Sequence, residues 1–141
     1  MGVAVLGAGR MGQTHIRNLA AIPDVRVVVV ADPVAEAAET GRALARAEQA
    51  FTDPHEAIAA AGVDAVVIVT PTSTHASLIE AAGRAGKAIW SEKPIALELA
   101  ETARVVDVVR QAGVPVQLGF MRRFDPGYAA AKARIEAGEL G

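Results

Sequence analysis

Gly7-Ala8-Gly9-Arg10-Met11-Gly12 is a G-x-G-x-x-G run, and Asp32 stands 20 residues beyond its last glycine. Glycines at this spacing, set between a strand and a helix, permit a tight turn, a close approach of main chain to a pyrophosphate, and close packing of helix on strand. The unpaired N–H groups and positive dipole end of a helix start suit a phosphate anion. The glycine run alone also suits any tight turn in an Ala-rich chain, and Asp32 makes it specific. An acidic side chain at that spacing accepts ribose hydroxyls and repels a 2′-phosphate, so NAD is favoured over NADP. Arg42 is a cation that can swing toward the same pocket.

Further groups with chemical capacity follow. Ser91-Glu92-Lys93-Pro94 places an ammonium and a carboxylate together, and Thr70-Pro71-Thr72-Ser73-Thr74-His75 gathers hydroxyls and an imidazole. Thr74 can cap a helix beginning at His75 or face a ligand. Arg122 and Arg123 are adjacent cations, and Tyr128 and Lys132 have a Tyr-x-x-x-Lys spacing that puts both on one helix face. The latter pattern belongs to short-chain dehydrogenases, whose cradle reads G-x-x-x-G-x-G instead. Three separated histidines and no cysteine give no metal-ligand cluster. Ser73 and Ser91 lack the G-x-S-x-G setting of an exposed nucleophile.

The elements that must position these groups alternate. Strands are predicted at Val3 to Leu6, Val25 to Ala31, Ala50 to Thr52, Val63 to Val69, Lys87 to Trp90 and Val114 to Leu118. Helices are predicted at Met11 to Ala21, Val34 to Ala47, His55 to Ala61, His75 to Ala85, Glu98 to Gln111 and Gly127 to Ala137. Consecutive apolar residues such as Val27 to Ala31 imply strands covered on both faces, hence a parallel sheet. About six strands with right-handed helical crossovers make a doubly wound α/β sheet of the Rossmann type, with helices on both faces.

A chain of 141 residues has room for about one domain. Residues 1–120 are assigned to the dinucleotide-binding domain and 121–141 to the start of a connection, since the six-strand plan does not need them. The formal net charge of −2 and aromatic content of 4% argue against nucleic acid as a partner. No apolar run approaches the roughly 20 residues of a membrane span, and the first residues lack a signal-peptide pattern. Leu6 stands where myristoylation of Gly2 wants Ser or Thr. The absence of cysteine fits a cytoplasmic setting.

The arrangement resembles the Gfo/Idh/MocA oxidoreductases, and within them the inositol dehydrogenase-like members. The matching residues are Gly7 to Gly12 with His15, Ala31-Asp32, Thr70-Pro71 with His75, Glu92-Lys93-Pro94, and Gly119-Phe120-Met121-Arg122-Arg123-Phe124-Asp125, in the family's order. The resemblance implies hydride transfer between a nicotinamide cofactor and a secondary alcohol of a polyol or sugar. It places Lys93 beside the reacting hydroxyl, where an ammonium stabilises alkoxide character and serves a proton relay. It sets Gly7, Ala8, Gly9, Arg10, Met11, Gly12, Asp32, Thr70, Pro71, Thr72, His75, Glu92 and Lys93 against the cofactor, with Arg122 or Arg123 against substrate. His15 reads as a packing or supporting residue, and His55 receives no role.

Family members continue into a second α/β domain that forms the substrate wall and the oligomer interface, so the full-length form is expected to be a homo-oligomer. The Asp-x-x-x-His pattern of that domain, whose histidine is the usual base, does not occur in these 141 residues. The chain by itself is therefore expected to bind NAD and to turn polyol over slowly or not at all. A non-catalytic NAD-binding module or sensor is the alternative from another class.

Overall fold

The computed structural model describes residues 1–139. Six strands, β1 (Gly2–Leu6), β2 (Arg26–Ala31), β3 (Gln49–Phe51), β4 (Ala65–Ile68), β5 (Ala88–Ser91) and β6 (Val116–Leu118), form one sheet in the order β3-β2-β1-β4-β5-β6, every pairing parallel. Between them run α1 (Arg10–Ala20), α2 (Ala35–Ala45), α3 (Pro54–Ala59), α4 (His75–Arg84) and α5 (Leu99–Ala112), and α6 (Pro126–Glu136) follows. The doubly wound Rossmann arrangement is thus the one expected.

Successive side chains of a strand point to opposite faces, which explains the unbroken apolar runs. Ala4 and Leu6 enter one buried cluster with Ile79 of α4 and Val105 of α5, and Val3 and Val5 enter another with Ile16 of α1. All four β1 side chains are at most 1% exposed. Each fully buried Val, Leu or Ile contributes about 1.5–3 kcal/mol of transfer free energy. Both faces of the sheet are therefore held by packing that neither the loops nor the site has to supply.

Element ends differ from expectation for identifiable reasons. The sixth strand begins at Val116, because Pro115 has no N–H for the ladder, although its carbonyl accepts from Ile89 at 2.8 Å. The third helix begins at Pro54, with the Asp53 carboxylate accepting the His55 N–H at 2.8 Å as its cap, and it stops at Ala59 before the extended Ala60. The fifth strand runs Ala88–Ser91, one residue later at each end than the expected Lys87 to Trp90. Of the expected connection 121–141, residues up to Glu139 include α6, which buries no side chain, while Leu140 and Gly141 lie outside the described residues.

Candidate functional site

The strand order reverses between β1 and β4, and in such sheets the crevice at the carboxyl ends beside that reversal takes the ligand. The loops after β1, β2, β4, β5 and β6 all carry the residues singled out above, so the fold collects them on one edge.

After β1 the chain turns sharply at Gly7, whose φ is +97° and whose N–H donates to Ala31 O at 2.7 Å. A Cβ there would lie 2.7 Å from Val69 O. A Cβ on Gly12 would lie 1.9 Å from Gly7 O, so α1 sits against the turn at a distance only glycine allows. Around Gly9 the same construction meets nothing within 4 Å. That open space lies over the N-terminus of α1, where Gly9 offers no side-chain cap and Gln13 is the first residue to donate back, to Gly9 O at 2.9 Å. The amides of Arg10, Met11 and Gly12 are accordingly the orphan donors of the first turn.

Asp32 closes this cradle. Its Oδ2 accepts the Ala8 N–H at 2.8 Å and its Oδ1 accepts the Val34 N–H at 2.9 Å. A carboxylate has about four lone-pair sites, so two remain for hydroxyl groups. Arg42 does not reach across: its guanidinium donates to Glu39 at 2.5–3.0 Å and to Ala47 O at 3.3 Å. The hydrogen bond from Arg42 holds the Glu39 carboxyl below the usual carboxylate range. Clear space, free amides and an aimed carboxylate without a competing cation fit NAD.

The loop after β4 is knit internally. Thr70 and Thr74 hydroxyls lie 2.7 Å apart, and Thr74 Oγ1 donates to Pro71 O at 2.8 Å. Thr74 therefore does not cap α4 with its side chain, the hydroxyl being turned back along its own loop. Pro71 is exposed and Thr72 half-buried. His75, expected at the cofactor border, is 2% exposed, with Nδ1 2.7 Å from Pro94 O and Nε2 2.9 Å from Thr70 O.

After β5, Glu92 Oε1 lies 3.2 Å from His15 Nε2, and the His15 ring packs on Trp90 with centroids 4.5 Å apart. Lys93 is exposed, and among the described residues no carboxylate pairs with its ammonium. Arg122 is spoken for in part by Asp125 at 3.5 Å and lies 5.0 Å over the Tyr128 ring; with Arg123 and Lys132 it lines a separate pocket. Lys132 itself is paired to Glu136 at 2.5 Å. The structure thus joins Gly7 to Gly12 with Asp32, and Thr70 with His75 and Pro94, while Arg122 and Arg123 form their own group with Tyr128. Sequence reasoning missed the His15–Glu92 contact and the two carbonyl partners of His75. The first spans 77 positions, which no local pattern encodes.

A groove of about 540 Å³ lined by Leu19, Val67, Ile89, Trp90 and Val116 lies along the sheet beside α1 and is apolar; it is not the cradle. Among the described residues there is no group of His, Cys, Asp and Glu able to hold a metal, and no helix long and apolar enough to cross a membrane.

This architecture and cradle define a nicotinamide-type dinucleotide-binding domain. The chain belongs to the Gfo/Idh/MocA oxidoreductase family, matching its NAD-binding Rossmann fold over residues 1–120. It is 48% identical over 139 residues to the scyllo-inositol 2-dehydrogenase (NAD(+)) of Bacillus subtilis, covering 98% of this chain and 41% of that protein. To the inositol 2-dehydrogenase of Rhizobium meliloti it is 44% identical, covering 97% and 41%. The crystal structure of scyllo-inositol dehydrogenase from Lactobacillus casei with bound NAD(H) and scyllo-inositol superposes with a TM-score of 0.93 at 34% identity, over 100% of this chain and 42% of that one. The chain thus spans about two fifths of the length of these relatives.

Proposed function

We propose that the protein oxidises a secondary alcohol of an inositol-like polyol, with this chain holding NAD and presenting Lys93 to the reacting oxygen. The observation that carries the reading is the unpaired Lys93 ammonium, on the same sheet edge as the cradle and flanked by Glu92 and Pro94, each tied to a helix histidine. The names of the Bacillus and Rhizobium relatives, and the inositol in the Lactobacillus structure, support the substrate class.

The chemistry NAD supplies here is acceptance of a hydride from the carbinol carbon. The chain's residues do the rest. The amides of Arg10, Met11 and Gly12 hold the pyrophosphate, Asp32 takes the adenosine ribose, and Thr70, Pro71 and Thr72 wall the cofactor at the β4 edge. Lys93 sits at the alcohol oxygen, where its ammonium stabilises the developing negative charge, and the alcohol proton goes to a base of the substrate domain. Arg122 and Arg123 bind polyol hydroxyls. Residues 121–141 lead into a substrate domain, a reading supported by the exposure of Phe120, Met121 and Phe124 at 50%, 65% and 80%.

The test uses the protein at its full natural length. Replacing Lys93 with Ala should lower inositol-dependent NADH formation by roughly 100-fold or more, to a rate still measurable, while NAD affinity by calorimetry stays within threefold. Full retention of turnover in K93A refutes the role of Lys93. NAD binding without turnover of any polyol by the wild type favours the sensor alternative.

A further inference from the structure

Lys93 has a pinned residue on each side. On one side Glu92 is met by His15 of α1, and on the other the Pro94 carbonyl is met by Nδ1 of His75, the first residue of α4. The opposite edge of the His75 ring, Nε2, faces Thr70 O. Thr70 follows Val69, whose carbonyl is the atom a Cβ on Gly7 would strike. A continuous path of contacts therefore runs from the phosphate turn through the β4 loop and one imidazole to the loop bearing the lysine.

Both ring partners are carbonyl oxygens, which only accept, so a ring nitrogen that carries a proton donates to the carbonyl it faces. At 2% exposure no water competes for either position, and a buried carbonyl left without a donor carries a desolvation penalty. His75 is thus a rigid strut between two loops that share no ladder of their own beyond the strand ends. We propose that His75 is a positioning residue: by donating from Nδ1 to Pro94 O it fixes the Lys93 loop at a set distance from the cofactor loop, and so sets the alignment of the ammonium with the reacting oxygen. This rests on the reading of Lys93 given above. The ring itself is buried and its two nitrogens face Pro94 O and Thr70 O, so it acts through the loops that carry them.

The experiment is a double-mutant cycle in the full-length enzyme with H75Q, K93A and the pair, following kcat, KM for polyol, NAD affinity and melting temperature. Displacing a catalytic group by about 1 Å can cost on the order of 100-fold. H75Q should accordingly lower kcat by roughly 10- to 100-fold, with NAD affinity within threefold, and the double variant should be no slower than K93A. Additive losses, or a loss in H75Q that tracks only its unfolded fraction, overturn the proposal while leaving Lys93 in its role. Wild-type turnover in K93A overturns both readings. If H75Q does not fold, nitrogen NMR of the wild-type histidine decides: a solvent-protected proton on Nδ1 supports the strut, and an unprotonated Nδ1 refutes it.

Discussion

Gly9 and Gly12 stand in one motif, and the structure assigns them opposite responses to an added methyl group. At Gly12 the methyl would fall 1.9 Å from Gly7 O and 2.8 Å from Gly7 C, both main-chain atoms at the floor of the turn. No side chain can rotate away, so α1 must lift, at a cost of about 3 kcal/mol or more, the upper end of overpacking penalties. At about 4 °C per kcal/mol for a domain of this size, G12A should melt about 10 °C or more below wild type. At Gly9 the backbone is at φ −66° and ψ −170°, open to any residue, and no atom lies within 4 Å. Narrowing the unfolded ensemble stabilises G9A by about 0.4–1 kcal/mol. The preference for Gly over Ala at an N-cap offsets this by up to about 1 kcal/mol. The melting temperature of G9A should therefore stay within about 4 °C of wild type. Its methyl, however, stands where the proposed site would bring a pyrophosphate, and each lost hydrogen bond to a charged group costs about 1.5–3 kcal/mol. The dissociation constant for NAD should rise roughly 10- to 150-fold. Thermal melts with and without NAD, together with calorimetric titration, measure both quantities. G9A binding NAD within twofold of wild type would refute the placement of the cofactor over this turn.

Replacing Asp32 with Ala removes the partner of the Ala8 and Val34 amides and the proposed partner of the ribose, so NAD affinity should fall by tenfold or more, read by fluorescence titration, while NADP affinity should not fall in parallel. Glu80 of α4, 4% exposed, pairs with Arg84 of its own helix at 2.8 Å and with Arg104 of α5. Removing both arginines leaves its charge buried alone and should cost about 3 kcal/mol in urea unfolding; E80Q should cost less, because both arginines are more than half exposed and rehydrate. Arg42 lowers the Glu39 pKa, so that pair adds stability above the ordinary carboxylate range and loses it as pH falls through the folded value. The melting difference between wild type and E39Q should shrink to nothing in acid, and it should be small throughout on so exposed a surface.

The fold was legible because its signals are local: valine runs such as Val27 to Val30, glycines at helix ends, and the cradle spacing each fit within a dozen residues. Gly86 and Gly113, just past α4 and α5, adopt φ of +70° and +67°, as helix stops of that kind do. Asp32 was readable for the same reason, its spacing being fixed by one βαβ unit. The supports of Lys93 were not. His15 meets Glu92 across the sheet, and His75 meets Pro94 from the next helix, contacts that exist only once α1 and α4 are docked. Of the two readings open for Thr74, the helix cap is not realised, since a nearby carbonyl outcompetes the helix amides for its hydroxyl.

The carboxylate of Asp32 does two jobs that are usually discussed as one. In the function proposed above it discriminates among nucleotides, and in the structure it is a brace between the ends of two strands. Anyone retuning this protein toward a phosphorylated nucleotide would therefore damage the brace by truncating the side chain. The productive exchange keeps a short acceptor for the Ala8 amide, such as Ser or Asn, and brings the new cation from α2.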